Sequence, residues 1–234
     1  MSDFDAVLFD LDGTLCRGDQ SGETLYRGAF EAAGVEPFGR PDELWASLDG
    51  PPTPNDEATY LARGFAAVAD HHGHTVDADA LADGFLATVD NTAVSVLPGA
   101  PAALSSAREN GPVGLVTNGP EHRQATKLTA LDLGDAFDAV VFAGDLPRRK
   151  PHREPFDRAL DALGVDPVAA LHVGDSFEYD VAGARAAGLR AAWYVGGTDG
   201  DGDGRPDPDD DRPDYVLRHL NDLGDALGVG GPDG

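Results

Sequence analysis

The chain has 234 residues, 41% of them hydrophobic, which is enough apolar material for one compact α/β domain with a small insertion. Its formal net charge of −25 argues against electrostatic binding to DNA or RNA. No apolar run approaches the roughly 18 residues of a membrane span, and the N-terminus lacks the basic start and apolar core of a signal peptide. We therefore expect a cytoplasmic protein that binds no membrane, with a monomer as the default state.

Arginine supplies nearly all of the positive charge. Of the 17 basic residues, only Lys127 and Lys150 are lysines. An acidic, lysine-poor composition resembles that of proteins from a high-salt cytoplasm, where abundant ions screen the repulsion between like charges. We therefore predict a halophilic protein whose stability depends on salt.

The first predicted element is a buried strand at residues 5–9, which ends at Asp10 and is followed by a turn at Gly13. A pattern with apolar residues at spacings of three and four then runs from about Ser21 to Val94, interrupted by Pro and Gly at 50–54. This pattern predicts an all-helical insertion.

From residue 100 onward, helical and strand patterns alternate. Helices are predicted at 100–109, 121–131, 153–163, 178–187 and about 219–227, and strands at 113–117, 139–142, 169–173, 191–195 and 215–217. Such alternation implies a parallel sheet with right-handed crossovers. The predicted fold is α/β, with a doubly wound, mostly parallel, Rossmann-like core sheet and an inserted helical cap. We assign 1–15 and 96–229 to the core, 16–95 to the cap and 230–234 to a flexible tail.

Four short segments carry polar side chains just after apolar runs. They are Asp10-Leu-Asp12-Gly-Thr14, Thr117-Asn118, Lys150-Pro151 and Gly174-Asp175-Ser176-Phe-Glu-Tyr-Asp180. Open α/β folds bind ligands at the carboxyl ends of their strands, so these segments are expected to converge at one edge of the sheet.

The acidic residues of these segments predict a cation. Asp10 and Asp12 are separated by two positions, and carboxylates held so close repel unless a cation lies between them. Mg²⁺ suits oxygen ligands and is usually held by one or two carboxylates together with substrate phosphate. Asp175 and Asp180 supply further carboxylates after a separate strand.

The remaining polar groups suit a phosphoryl group. Lys150 offers a compensating positive charge, and Thr117 and Asn118 can donate hydrogen bonds to phosphate oxygens. The roles that follow are attack on phosphorus by Asp10, and protonation of the departing alcohol by Asp12, which then activates water. The prediction is a Mg²⁺-dependent hydrolase of a small phosphomonoester, acting through an aspartyl-phosphate intermediate.

In the order and spacing of these segments, the chain resembles the haloacid dehalogenase-like (HAD) hydrolase superfamily, in its phosphoglycolate-phosphatase-like branch with a helical cap. The resemblance covers nearly the whole chain. It implies that Asp10 is the nucleophile and Asp12 the general acid/base, and that Thr117 and Lys150 bind the phosphoryl group. It also implies that Asp10, the backbone carbonyl of Asp12, and Asp175 hold Mg²⁺.

Three further residues are expected around this site. By the resemblance, Asp180 is a partner behind the metal ligands or a water-mediated metal contact. Thr14 and Ser176 are expected beside it. Simpler explanations exist for three acidic or polar residues of the last segment, since Asp175 and Ser176 can cap the helix that follows and Asp180 can lie on a solvated face.

Several other functions remain open. Dehalogenases of the superfamily resemble this chain without an acid two residues after the nucleophile, so Asp12 favours phosphate chemistry. Phosphomutases keep both acids, often with Val where this chain has Thr14. A non-catalytic module that binds a metal or metabolite would need neither the nucleophile nor the acid.

A second cation site is considered near the C-terminus. The acidic loop 199–211 follows the spacing of a calcium-binding loop, with Asp199, Asp201 and Asp203 at its first three ligand positions. The last ligand position holds Asp210 where Glu is usual, and no helix clearly precedes the loop. A Ca²⁺ site and a solvated acidic loop are the two alternatives.

Overall fold

The computed structural model describes residues 4–48, 56–196 and 212–229. The described chain divides into two compact units, Met1–Arg17 with Val94–Gly234, and Gly18–Ala93. Loop 199–211 and tail 230–234 lie outside the described residues, so the Ca²⁺ hypothesis stays a prediction. None of the helices in the described ranges combines the length and hydropathy of a membrane span.

The core is built on a six-stranded sheet in which every paired strand is parallel to its neighbour. The strands of the chain are β1 (Ala6–Phe9), β2 (Cys16–Gly18), β3 (Val94–Val96), β4 (Val113–Thr117), β5 (Ala139–Phe142), β6 (Ala170–Gly174), β7 (Arg190–Tyr194) and β8 (Tyr215–Leu217). The large sheet has the order β5-β4-β1-β6-β7-β8, while β2 and β3 pair separately. Strand β1 therefore lies in the middle, between β4 and β6.

The insertion contains four helices. They are α1 (Gly22–Ala33), α2 (Pro41–Ala46), α3 (Glu57–His72) and α4 (Ala78–Thr88). The apolar positions Leu61, Phe65 and Val68, which predicted a helical stripe, are all buried in α3. They share an apolar cluster with Tyr26 and Phe30 of α1, so the insertion has a core of its own.

Helices cover both faces of the large sheet. The core helices are α5 (Ala100–Asn110), α6 (Glu121–Ala130), α7 (Glu154–Leu163), α8 (Gly183–Ala187) and α9 (Leu223–Leu227). Val7 and Phe9 of β1 pack on the face that holds α5 and α9, and Leu8 packs on the face that holds α7 and α8. Because both faces are covered, β1 is a continuous apolar run, as is typical of parallel sheets. The predicted doubly wound fold is confirmed.

One predicted helix has a different geometry at its start. Instead of a regular helix over 178–187, the chain forms a π-helical turn at Phe177–Ala182, followed by α8. The wide turn is visible in the bond from Val181 N–H to Ser176 O at 3.2 Å, which spans five residues. Asp180 lies inside this turn and is buried. The closing helix also differs, because Leu220–Asp222 forms a 3₁₀ turn before α9.

Candidate active site

The carboxyl ends of three neighbouring strands, β4, β1 and β6, meet at one edge of the sheet, where a cavity of about 270 Å³ opens. It is lined by Asp10, Asp12, Thr117, Asn118, Gly119, Lys150, Asp175, Ser176, Tyr179 and Asp180. All four segments that the sequence singled out contribute to this lining. Thr14 lies beside it, since its hydroxyl donates to Asp175 Oδ1 at 3.1 Å.

The loop after β1 is held in a tight turn. Asp10 N–H still donates to Val173 O of β6 at 2.9 Å, so the residue remains in register with the sheet. The turn then folds back, and Gly13 N–H donates to Cys16 O at 2.8 Å. Gly13 has a φ of 83°, a conformation that favours glycine. This geometry carries Asp10 and Asp12 to the same edge of the sheet.

Lys150 joins two buried carboxylates. Its Nζ lies 2.7 Å from Asp10 Oδ1 and 2.6 Å from Asp180 Oδ1, with only 2% of the lysine side chain exposed. Asp180 is fixed further, because its Oδ1 lies 3.0 Å from His172 Nε2 and its Oδ2 accepts Ser176 N–H at 3.0 Å. Asp180, which is itself held by His172 and Ser176, therefore fixes the position of the Lys150 ammonium group that contacts Asp10.

Burial dominates the electrostatics of this group. It raises the pKa of Asp10 to about 8, an effect that Lys150 opposes and that the charges of Asp180 and Asp175 reinforce. Burial also acts to raise the pKa of Asp180, but Lys150 and His172 outweigh it and the pKa is lowered. Burial acts to lower the pKa of Lys150, yet the two aspartates outweigh it and the pKa is raised. Lys150 is thus held as a cation.

Asp175 lies close to Asp10, because carboxylate oxygens of the two residues are within 4.8 Å of each other. Burial and the charge of Asp180 raise the pKa of Asp175 to about 6, although the hydrogen bond from Thr14 lowers it. Trp193 Nε1 donates to the Asp175 backbone oxygen at 2.9 Å, which fixes the loop after β6. Ser176 caps the following turn by accepting Tyr179 N–H at 3.1 Å.

Oxygen atoms of three aspartates are close enough to hold one cation. Asp10, Asp175 and Asp180 each offer one carboxylate oxygen, and these oxygens lie within 4.8 Å of one another. Burial, reinforced by the charges of neighbouring aspartates, raises the pKa of Asp10 and Asp175. A divalent cation would offset the repulsion between these carboxylates. The donor set therefore fits Mg²⁺. Among the described residues the Asp12 carboxylate is not part of this group.

Thr117 and Asn118 have different tasks at the end of β4. Thr117 Oγ1 accepts hydrogen bonds from Gln124 Nε2 at 2.6 Å and from Gly119 N–H at 3.4 Å. Its own proton is therefore left to be donated elsewhere. The Asn118 side chain instead bonds the backbone of Lys150 in both directions, at 2.9 and 3.1 Å. The Asn118 side chain thus fixes the Lys150 loop, and its predicted binding to phosphate stays a prediction.

Three residues at the site were not found from the sequence. Lys127 and Gln124 of α6 both contact the Asp12 carboxylate, and His172 of β6 contacts Asp180. One signal for Lys127 was available, since it is one of the two lysines in a chain that otherwise uses arginine. Gln124 and His172 gave no comparable signal, because each is a single polar residue within an ordinary helix or strand pattern.

The chain is similar to known proteins over most of its length. A family model described as haloacid dehalogenase-like hydrolase matches residues 4–188. A phosphoglycolate phosphatase of Cereibacter sphaeroides is 36% identical over 224 residues, covering 94% of this chain and 96% of the relative. A phosphoserine phosphatase of Thermus thermophilus is 32% identical over 234 residues, covering 93% of this chain and 90% of the relative.

A solved structure agrees with this relationship. The crystal structure of 2-haloacid dehalogenase from Pseudomonas syringae pv. Tomato DC3000 superposes with a TM-score of 0.66 at 27% identity, covering 97% of this chain and 99% of the other. The family model spans well over half of the chain, and the two relatives cover nearly all of it. The chain therefore belongs to the haloacid dehalogenase-like hydrolase family and is a phosphatase of its phosphoglycolate-phosphatase-like branch.

Proposed function

We propose that this phosphatase hydrolyses a small phosphomonoester with Mg²⁺ as cofactor and with Asp10 as the nucleophile that carries the phosphoryl group. The observation that carries the proposal is the placement of Asp10. Its carboxylate lies in the cavity, 2.7 Å from a buried lysine and within 4.8 Å of oxygens of Asp175 and Asp180. A buried carboxylate between a fixed cation and a candidate metal site suits attack on a dianionic phosphate.

The metal would be held by Asp10 and Asp175, with the backbone carbonyl of Asp12 as the third protein ligand implied by the family. Bound there, Mg²⁺ would neutralise charge on the phosphoryl oxygens and offset the repulsion between them and the aspartates. Asp180 is the least available of the three clustered acids, because its oxygens already accept from Lys150, His172 and Ser176. We therefore assign Asp180 to positioning Lys150.

The phosphoryl group would be bound by side-chain and backbone donors of the cavity. Lys150 supplies a fixed positive charge. Thr117 Oγ1 accepts two hydrogen bonds from the protein, so its hydroxyl proton is available for a phosphate oxygen. Within the described part of the chain, the N–H groups of Leu11 and Asp12 donate to no other residue. These two amides are therefore available as an anion cradle beside Asp10.

The reaction would proceed in two displacements at phosphorus. In the first, an Asp10 oxygen forms a bond to phosphorus while the bond to the alcohol oxygen breaks, and Asp12 gives its proton to that oxygen. In the second, Asp12 takes a proton from water as the water oxygen attacks phosphorus. Inorganic phosphate leaves, and both aspartates return to their starting states.

Two other functions remain as alternatives. A phosphomutase would use the same two acids but would move the phosphoryl group between positions of its substrate. A binding module of the same fold would bind phosphate or metal without turnover. Release of inorganic phosphate distinguishes the phosphatase from both alternatives. A mutase conserves total phosphoester, and a binding module releases nothing.

The test is a panel of small phosphomonoesters at high KCl, with Mg²⁺ or with EDTA. The panel includes phosphoglycolate and phosphoserine, after the names of the two relatives, together with sugar phosphates and nucleoside monophosphates. We expect phosphate release that requires Mg²⁺ and is absent in Asp10→Asn. Release in EDTA would contradict the metal requirement, and release by Asp10→Asn would contradict the nucleophile.

A further inference from the structure

One face of helix α6 is directed at the Asp12 carboxylate. Lys127 Nζ lies 2.7 Å from Asp12 Oδ1 and 2.9 Å from Asp12 Oδ2, so the ammonium group bridges both oxygens. Gln124, three residues earlier on the same helix, donates from Nε2 to Asp12 Oδ2 at 2.8 Å. The general acid/base of the proposed reaction is therefore held by two residues from a single helix.

Gln124 is itself fixed. It is 1% exposed, and its Nε2 also donates to Thr117 Oγ1 at 2.6 Å. A β-carbon on Gly119 would lie 2.5 Å from that same nitrogen, so the glycine permits the close approach of the two segments. One amide thus connects Asp12 with the threonine that is assigned to phosphate binding, and the position of Asp12 is defined relative to the phosphate.

The two lysines of the chain occupy corresponding positions in the site. Lys150 contacts Asp10, and Lys127 contacts Asp12, so each aspartate of the first segment faces one lysine. The surroundings of the two pairs differ. The Asp12 side chain is 46% exposed and Lys127 17%, and an ion pair at that level of exposure adds little to stability. The main effect of the contact is therefore on the position of the Asp12 carboxylate and not on the stability of the fold.

We propose that Lys127 is a positioning residue that holds Asp12 where it delivers its proton to the leaving-group oxygen. This inference rests on the proposed function. In the first displacement, the bond from phosphorus to the leaving oxygen breaks, and that oxygen becomes an alcohol by taking the Asp12 proton. If Lys127 is lost, the Asp12 side chain keeps only Gln124 as a strong partner and samples other rotamers.

The proposal predicts a dependence on the leaving group. An alkoxide is a poor leaving group and needs the proton as the bond breaks, whereas an aryl oxide such as p-nitrophenolate departs without it. The ratio kcat/KM reports the first displacement, because that step is the first irreversible one. Loss of Lys127 should therefore harm alkyl phosphates much more than p-nitrophenyl phosphate, and a general loss of structure should harm both alike.

The experiment compares kcat/KM for p-nitrophenyl phosphate with that for the best alkyl phosphomonoester of the panel, in the wild type and in Lys127→Met. Lys127→Gln serves as a second neutral variant should Lys127→Met unfold, which melting curves would reveal. Thr126→Ala is the matched control on the same helix, because its hydroxyl donates to His122 O and not to Asp12. Lys127→Arg tests whether a restored cation restores the effect.

We expect the neutral variants to lose about 100-fold in kcat/KM on the alkyl ester and no more than about threefold on the aryl ester, in line with the usual contribution of general acid catalysis. Lys127→Arg should recover most of the loss, and Thr126→Ala should match the wild type. Equal losses on both esters, or no loss on either, would overturn the proposal while leaving the phosphatase intact. A wild type that releases phosphate from neither ester would instead overturn the proposed function, and this inference with it.

Discussion

Gly13 and Asp175 lie so close together that a β-carbon on Gly13 would stand 2.7 Å from Asp175 Cγ. The two residues belong to the loops after β1 and β6, which are neighbouring strands of the sheet. Their contact therefore sets the distance between the Asp10 loop and the Asp175 carboxylate. A glycine is required here for two reasons, because φ at Gly13 is 83° and because no side chain fits against Asp175.

We expect Gly13→Ala to lower kcat/KM for phosphate release by about 100-fold or more, since a displacement of about 1 Å in a catalytic group has effects of that size. The matched control is Gly164→Ala. Gly164 has a φ of 68° at the end of α7 but open space around the position of a β-carbon. Gly164→Ala therefore introduces the same kind of strain at a positive φ but no clash with a neighbouring side chain, and this variant should keep full activity. Equal activity of the two variants would contradict this account of Gly13.

Lys150→Met should destabilise the core in a way that depends on pH. The variant leaves Asp10 and Asp180 buried without their cation, and losing one partner of a buried ion pair costs about 3–5 kcal/mol. Without Lys150, burial raises the pKa of both carboxyl groups above their unfolded values. Such groups favour the fold while they are protonated, and that contribution is lost as the pH rises.

The measurement is the free energy of unfolding in EDTA at about pH 5.5 and about pH 8, both above the unfolded aspartate pKa of about 3.9. Between these two values, the only carboxyl groups that change their protonation are those whose pKa is raised in the folded state. The difference between wild type and Lys150→Met should be larger at the higher pH. A difference that is the same at both values would show that Lys150 does not compensate these carboxylates.

His172 should make the stability of the wild type fall in mild acid. Burial lowers the pKa of His172 below its ordinary value of 6.5, although Asp180 opposes the shift. A histidine with a lowered pKa stays neutral in the folded state while the unfolded chain takes up the proton. Its contribution is therefore present above the unfolded pKa of about 6.5 and is lost as the pH falls below it.

The variant His172→Gln retains an N–H for Asp180 but cannot titrate. We expect its melting temperature to fall less than that of the wild type between about pH 7.5 and about pH 5.5, across the unfolded pKa of histidine. His71→Gln is the control, because His71 is exposed on α3. Parallel curves for wild type and His172→Gln would show that His172 does not contribute.

Salt should stabilise the fold strongly. The net charge of −25 is spread over a chain of 234 residues, so like charges repel across its surface. Raising KCl from about 0.1 M to about 1 M shortens the screening length from about 10 Å to about 3 Å. We expect the melting temperature to rise over this range. An unchanged melting temperature in KCl would contradict the predicted halophilic behaviour.

Much of the fold and the main site residues could be predicted because they depend on local patterns. Apolar runs such as residues 6–9 and 170–174 place strands, and the polar residue after each run lies at the carboxyl end of the sheet. Asp10, Thr117 and Asp175 follow directly from that rule, since the strands are parallel and share an edge.

The contacts that could not be predicted join distant parts of the chain. Lys127 meets Asp12 across a separation of 115 residues, and this depends on how α6 is rotated over the edge of the sheet. No periodicity in the sequence encodes that rotation. The contact between Asn118 and the backbone of Lys150 could not be predicted for the same reason, because the two residues are 32 positions apart. The π-helical turn holds Asp180, whose carboxylate contacts Lys150, 30 residues away, and His172 of β6.

The central claim is that Asp10 carries the phosphoryl group, and trapping that intermediate tests it most directly. The enzyme would be mixed with its best substrate and Mg²⁺, quenched during turnover, and treated with borohydride, which reduces an acyl phosphate to an alcohol. Peptide mass spectrometry should then find homoserine in place of Asp10, only when substrate is present, and never in Asp10→Asn. Phosphate release with an unmodified Asp10, or with the modification at another aspartate, would contradict the claim.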